Sequence, residues 1–170
     1  MSDSRIETVK AIEQAIRAEV EGQNFYRMAA HATEDPKARE VFEKMAADEA
    51  LHERFLRTLR TAIAEGSAGS TVPALAKATS YAGSSPIFSD ALKARIRTAH
   101  VEMTALSVGI QLELGAVSHY RRLAEASGDT GLRRTFEDLA AWESGHYQAL
   151  IRQQDELKGD YWSGSGFAPF

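Results

Sequence analysis

Apolar residues recur at steps of three and four along most of this chain. Val9, Ile12, Ile16, Tyr26 and Ala30 share one stripe with Glu19 and Gln23, and that period predicts an amphipathic helix. Ser4 followed by Glu7 has the form of a capping box that opens it. The helix is expected to end near residues 31–33, because Asp35-Pro36 supplies an N-cap and an N1 proline for the next one. The second stripe runs through Ala38, Phe42, Met45, Glu49, His52, Leu56, Leu59 and Ile63 and stops at Gly66. From about 66 to 89 the period dissolves into Gly, Ser, Thr and two prolines, which predicts a long connection. A third stripe follows as Leu92, Ile96, Ala99, Met103, Leu106, Ile110, Glu113, Val117, Tyr120 and Ala124. Gly128-Asp129 predicts a short turn, and the fourth stripe is Leu132, Phe136, Leu139, Glu143, His146, Leu150 and Leu157.

The connection lengths select the topology. Short, long, short predicts two antiparallel hairpins joined by one crossover, the all-α arrangement of a ferritin-like four-helix bundle, whereas an up-down-up-down bundle needs three short loops. The expected division is a bundle over residues 1–158 and a Gly-broken aromatic tail over 159–170, with Tyr161, Trp162, Phe167 and Phe170. The long connection suits a homodimer, including one that exchanges hairpins between chains.

The chain also repeats itself. Displaced by 94 residues, Ile16, Glu19, Tyr26, Arg27, Ala30 and Ala32 meet Ile110, Glu113, Tyr120, Arg121, Ala124 and Ala126. The same displacement brings Arg39, Phe42, Glu43, Ala46, Ala47, Glu49, His52 and Leu56 onto Arg133, Phe136, Glu137, Ala140, Ala141, Glu143, His146 and Leu150. Two such halves packed face to face carry pseudo-twofold symmetry, and matched residues line whatever sits on the axis.

Composition narrows the chemistry. A net charge of −4 over 170 residues disfavours nucleic acid. The absence of cysteine excludes disulfides, thiolate nucleophiles and Cys-held zinc or iron–sulfur centres within these residues, so a metal here must sit on His, Asp and Glu. No window has the length and apolarity of a membrane span, and the N-terminal residues show no apolar secretory core. The expected setting is cytoplasmic, without a membrane or nucleic-acid partner.

The matched polar residues Glu19/Glu113, Glu49/Glu143 and His52/His146 lie on the apolar stripes, with Tyr26/Tyr120 two turns beyond the lone glutamates. Four buried carboxylates repel one another and are costly to desolvate. Two imidazoles alone leave net buried negative charge, whereas two divalent cations balance four carboxylates. Glu-x-x-His places both side chains one turn apart on one helix face.

This pattern is similar to the ligand set of ferritin-like di-iron and di-manganese carboxylate proteins. Glu19-x-x-Gly-x-x-Phe-Tyr26 with Asp48-Glu49-Ala-Leu-His52, and Glu113-x-x-Ala-x-x-His-Tyr120 with Trp142-Glu143-Ser-Gly-His146, resemble the rubrerythrin branch of that superfamily over roughly residues 5–158. The resemblance implies a non-haem centre of two Fe ions on Glu19, Glu49, His52, Glu113, Glu143 and His146, with Mn or Zn able to occupy the same donors. It also implies reaction with hydrogen peroxide or dioxygen and oxidation of iron. Two features depart from the family. Rubrerythrins proper carry a four-cysteine rubredoxin domain, and these residues hold no cysteine, so a separate electron donor such as a rubredoxin-like protein is expected. They also carry a further glutamate one turn after the third-helix ligand, where this chain has Ala116.

The remaining polar residues divide more evenly. Tyr26 and Tyr120 suit either hydrogen bonds to the carboxylates or plain core packing, and Asp48 suits either a histidine on another helix or solvent. His31 and His119 are expected off the site, and His100 lies with Glu102 two or three turns before Glu113. Glu102 is expected to cap the core end or to lie on the surface, with an inward, iron-guiding position as the alternative. Gly22, Gly109, Gly115 and Gly145 each lower helix propensity by about 1 kcal/mol and imply close helix contacts or a gap beside the metals. The leading expectation is a di-iron oxidoreductase. The alternatives are a ferroxidase or iron-storage protein of the ferritin type, and a di-iron hydroxylase with an apolar substrate pocket.

Overall fold

The computed structural model describes residues 3–66, 87–94 and 99–165, with side chains described from 5 onward and up to 159. Five helices are described: α1 (Asp3–Ala32), α2 (Pro36–Ala64), α3 (Asp90–Ala94), α4 (His100–Ala126) and α5 (Thr130–Ser165). α1 packs on α2 and α4 on α5, and the two hairpins meet through α1 and α4. This is an all-α, ferritin-like four-helix bundle. None of the described helices is long and apolar enough to cross a membrane.

Local chemistry sets most of the boundaries. Asp35 has extended backbone and accepts from the Ala38 amide at 2.9 Å, with Pro36 at the first helical position, so α2 starts where the N-cap pattern demands. It stops at Gly66, whose φ of 82° is open to glycine without strain. Asp129 accepts from the Leu132 amide at 2.9 Å and starts α5 in the same way.

Three boundaries differ from the periodicity. α1 begins at Asp3, so Ser4 lies inside the helix rather than ahead of it. Leu92 does not continue into α4 but belongs to the separate short helix α3. There Ser89 accepts the Leu92 amide at 3.2 Å, and its own hydroxyl donates to Asp35. A tertiary bond to the α1–α2 turn therefore sets where α3 begins, which periodicity cannot register. Finally, α5 runs to Ser165, through the first residues of the expected tail. Most of the crossover, Ile96 and the tail residues Phe167 and Phe170 lie outside the described residues, as do the side chains of Tyr161 and Trp162.

The core falls into two apolar clusters. One gathers Tyr26, Phe42, Met45, Phe88, Leu92, Leu106 and Leu150, and the other Ile12, Leu56, Leu59, Tyr120, Phe136 and Leu139. Each long helix passes from one cluster to the other, and between them lies a buried polar layer of Glu19, Gln23, Glu49, His52, Glu113, Glu143 and His146.

Candidate metal centre

All six donors singled out by the repeat enter this layer, none more than 4% exposed. Glu19 comes from α1, Glu49 and His52 from α2, Glu113 from α4, and Glu143 and His146 from α5. The i, i+3 spacing on α2 and α5 sets each Glu-x-x-His pair on one face, so the histidines follow their glutamates inward.

The donors form two overlapping groups: Glu19, Glu49, His52 and Glu143, and Glu49, Glu113, Glu143 and His146. Within each group, one donor atom per residue lies within 4.8 Å of the others. His52 Nδ1 is 3.3 Å from both Glu19 Oε2 and Glu49 Oε2 and 2.7 Å from Glu143 Oε1. His146 Nδ1 is 3.3 Å from Glu49 Oε1 and Glu143 Oε2 and 3.5 Å from Glu113 Oε2. One ring nitrogen cannot donate to three carboxylate oxygens at once. Moreover, Glu49 Oε1 and both Glu143 oxygens are buried without a hydrogen bond. Oxygen donors converging on a nitrogen without being satisfied by it fit a hard-to-borderline divalent cation in each group.

Electrostatics describe the same frustration. Burial, reinforced by the Glu143 charge, pushes Glu19 well above the carboxylate range, and burial raises Glu113 to about 8. For Glu143 burial acts in the same sense but is outweighed by the His52 charge and the contacts with His146 and His52, which hold it below the ordinary value. Glu49 is lowered too: its contacts with His146, His52 and Glu19 outweigh burial and the Glu143 charge. Both histidines are raised despite burial, His52 chiefly by Glu143 and His146 by Asp48 and three glutamates. With no cation, protons carry the compensating charge.

The tyrosines act as donors as well as core. Tyr26 of α1 gives its hydroxyl hydrogen bond to Glu113 of α4, and Tyr120 of α4 gives its own to Glu19 of α1. Each half therefore orients the lone glutamate of the other. Asp48 is buried with Oδ2 3.3 Å from His146 Nε2, resolving its two readings in favour of the histidine. Glu102 is buried at the bundle end, accepting from Thr33 at 2.8 Å, away from both donor groups. His31 and His100 are exposed, and the half-buried His119 lies 3.4 Å from the Ala11 carbonyl.

Trp142 is the neighbour that sequence reasoning passed over. Its ring stands perpendicular to His52 with centroids 4.4 Å apart. The repeat held the signal, since Trp142 occupies the place of Asp48.

A cavity of about 60 Å³ reaches the carboxylates between α1 and α4, lined by Ala18, Gly22, Ala116 and the four glutamates among others. A wider hollow of about 320 Å³ lies against the same face, with Gln14, Gln111, His119 and Arg122 in its walls. Ala116 borders both; the small side chain leaves the space open.

The rubrerythrin family model matches residues 10–154. Neither the curated proteins nor the solved structures yielded a match.

Proposed function

The chain belongs to the rubrerythrin family, and from that premise we propose that it is a non-haem di-iron oxidoreductase that reacts with hydrogen peroxide or dioxygen and oxidises iron. The observation that carries this reading is the pair of overlapping buried donor groups that share Glu49 and Glu143. Glu19 and His52 would complete one metal position, and Glu113 and His146 the other. Bound there, a pair of irons supplies ferrous–ferric redox chemistry toward a small oxidant.

The protein's own part is positioning and exclusion. Tyr26 and Tyr120 hold Glu113 and Glu19 in place from opposite halves, as groups behind ligating carboxylates generally do. The two apolar clusters shut water out from above and below the polar layer. The cavity at the carboxylates, about 60 Å³, suits a molecule the size of water or peroxide, since water occupies roughly 30 Å³ in the liquid. At the carboxylates themselves that size suits a small oxidant, and the wider hollow of about 320 Å³ adjoins it. With no cysteine in these residues, reducing equivalents come from a separate carrier, in the cytoplasm.

Anaerobic loading with Fe(II) followed by hydrogen peroxide tests the reading. The expected outcome is about two irons per chain and a new near-ultraviolet absorption of the oxidised pair, reversed by added reductant. Less than one iron per chain with no absorption change would overturn it. Iron taken up far beyond two per chain, in a large assembly, would instead favour ferritin-type storage.

A further inference from the structure

Around the polar layer the internal repeat matches each donor with its chemical equivalent: Glu19 with Glu113, Glu49 with Glu143, His52 with His146 and Tyr26 with Tyr120. Directly behind the histidines the match fails. Asp48 corresponds to Trp142. On one side Asp48 Oδ2 lies 3.3 Å from His146 Nε2, while Nδ1 of that ring faces Glu49, Glu113 and Glu143. On the other, His52 turns Nδ1 to Glu19, Glu49 and Glu143 in the same manner, but its ring is backed by the indole of Trp142. His52 Nε2 and Trp142 Nε1 are both buried without a hydrogen-bond partner.

The chemistry of the two histidines differs accordingly. A neutral imidazole that gives a cation its Nδ1 lone pair carries its proton on Nε2. A carboxylate accepting that N–H fixes the tautomer and ring orientation and makes the ligating nitrogen a stronger base. Asp48 does this for His146 and adds a formal negative charge on that side. An indole N–H donates only and cannot accept. Away from its Nδ1 contacts, His52 is therefore backed by ring packing alone and gains neither basicity nor charge from Trp142.

We propose that the two metal positions of this chain are unequal: the position of Glu113 and His146, backed by Asp48, fills first and holds a divalent cation more tightly than the position of Glu19 and His52, backed by Trp142. The inference rests on the di-metal reading above. It makes the His52 position the exchangeable one, where an iron ion arrives and leaves while its neighbour stays bound.

Calorimetric titration of the metal-free chain with Co(II), followed in parallel by Co(II) visible absorption, tests this. Two ions are expected to bind in two resolved steps, with dissociation constants roughly 10–100-fold apart, the usual effect of a carboxylate behind a ligating histidine. Asp48→Asn is expected to weaken the first step by a similar factor and merge the two, leaving the second unchanged. Trp142→Asp is expected to tighten the second step; should that variant not fold, the wild-type and Asp48→Asn isotherms still decide. His52→Gln is expected to keep the tight step and His146→Gln to abolish it. Two ions binding with equal affinity, or Asp48→Asn weakening both steps alike or neither, overturns the inequality while leaving the di-metal reading intact. Less than one Co(II) per chain defeats the di-metal reading itself.

Discussion

Tyr26 and Tyr120 tie the two hairpins together through two buried carboxylates of the candidate metal centre, Glu113 and Glu19. Each tyrosine is fully buried, and each hydroxyl bonds a carboxylate that also faces a histidine Nδ1, that of His146 for Glu113 and that of His52 for Glu19. Replacing either by phenylalanine keeps the ring in the core and strips one hydrogen bond from a buried acid. Such a loss costs about 1–3 kcal/mol, to be read as a lowered urea midpoint of the metal-free protein for both Tyr26→Phe and Tyr120→Phe. The sequence placed both tyrosines on the inner stripe but left packing and hydrogen bonding equally open. Their partners lie 87 and 101 residues away, and no local spacing rule reaches that far.

At the level of the helices, the four interior glycines turn out to have different reasons. A Cβ on Gly109 would sit 3.1 Å from both Leu150 Cδ1 and the Tyr26 hydroxyl oxygen. Neither neighbour can yield, because Leu150 is fully buried and Tyr26 is tied to Glu113. Gly115 and Gly145 would meet nothing within 4 Å, and Gly22 only ordinary contact with Glu49. Gly145→Ala is therefore expected to stabilise by about 0.5–1 kcal/mol through helix propensity. Gly109→Ala is expected to destabilise despite the same propensity gain, and thermal melts of the two variants give the comparison. Asp35 does two tasks at the α1–α2 turn, capping α2 and holding Ser89. Its replacement by alanine is expected to cost about 1–2 kcal/mol, measured by the same melts. The cap was legible in Asp35-Pro36; the Ser89 bond was not, since it joins segments 54 residues apart.

For the molecule as a whole, the polar layer couples stability to pH and to metal. Without a cation, burial raises Glu113 from 4.5 to about 8, and Glu19, His52 and His146 also shift upward. Unfolding returns each to its ordinary value, so in this range the folded state binds more protons. The stability they contribute is complete below the unfolded values and disappears as pH rises through the folded ones. Glu49 and Glu143 shift downward, and their contribution is lost only as pH falls below the ordinary 4.5. The metal-free protein is therefore expected to lose stability as pH rises from 4.5 toward 8. A bound divalent cation replaces those protons, so Zn(II) is expected to raise the melting temperature more at the upper end of that range than in its middle. Melting temperatures of the metal-free protein that climb over the same interval would contradict this.

What the sequence determined by itself was most of what acts within one helix or across a short turn, the outer ends of α1 and α5 excepted. The 3.6-residue period, the Glu-x-x-His spacing, the caps and the 94-residue repeat were enough to give four long helices, two hairpins and six acidic and imidazole groups turned inward. Tertiary structure decided how one hairpin meets the other. It paired Tyr26 with Glu113 and Tyr120 with Glu19, set Asp48 behind His146, and left His52 against Trp142. It also separated α3 from α4. The physical reason is common to all of these. They depend on the rotation and register of packed helices, where one turn of slip exchanges every neighbour, and a single chain's periodicity carries no record of that register.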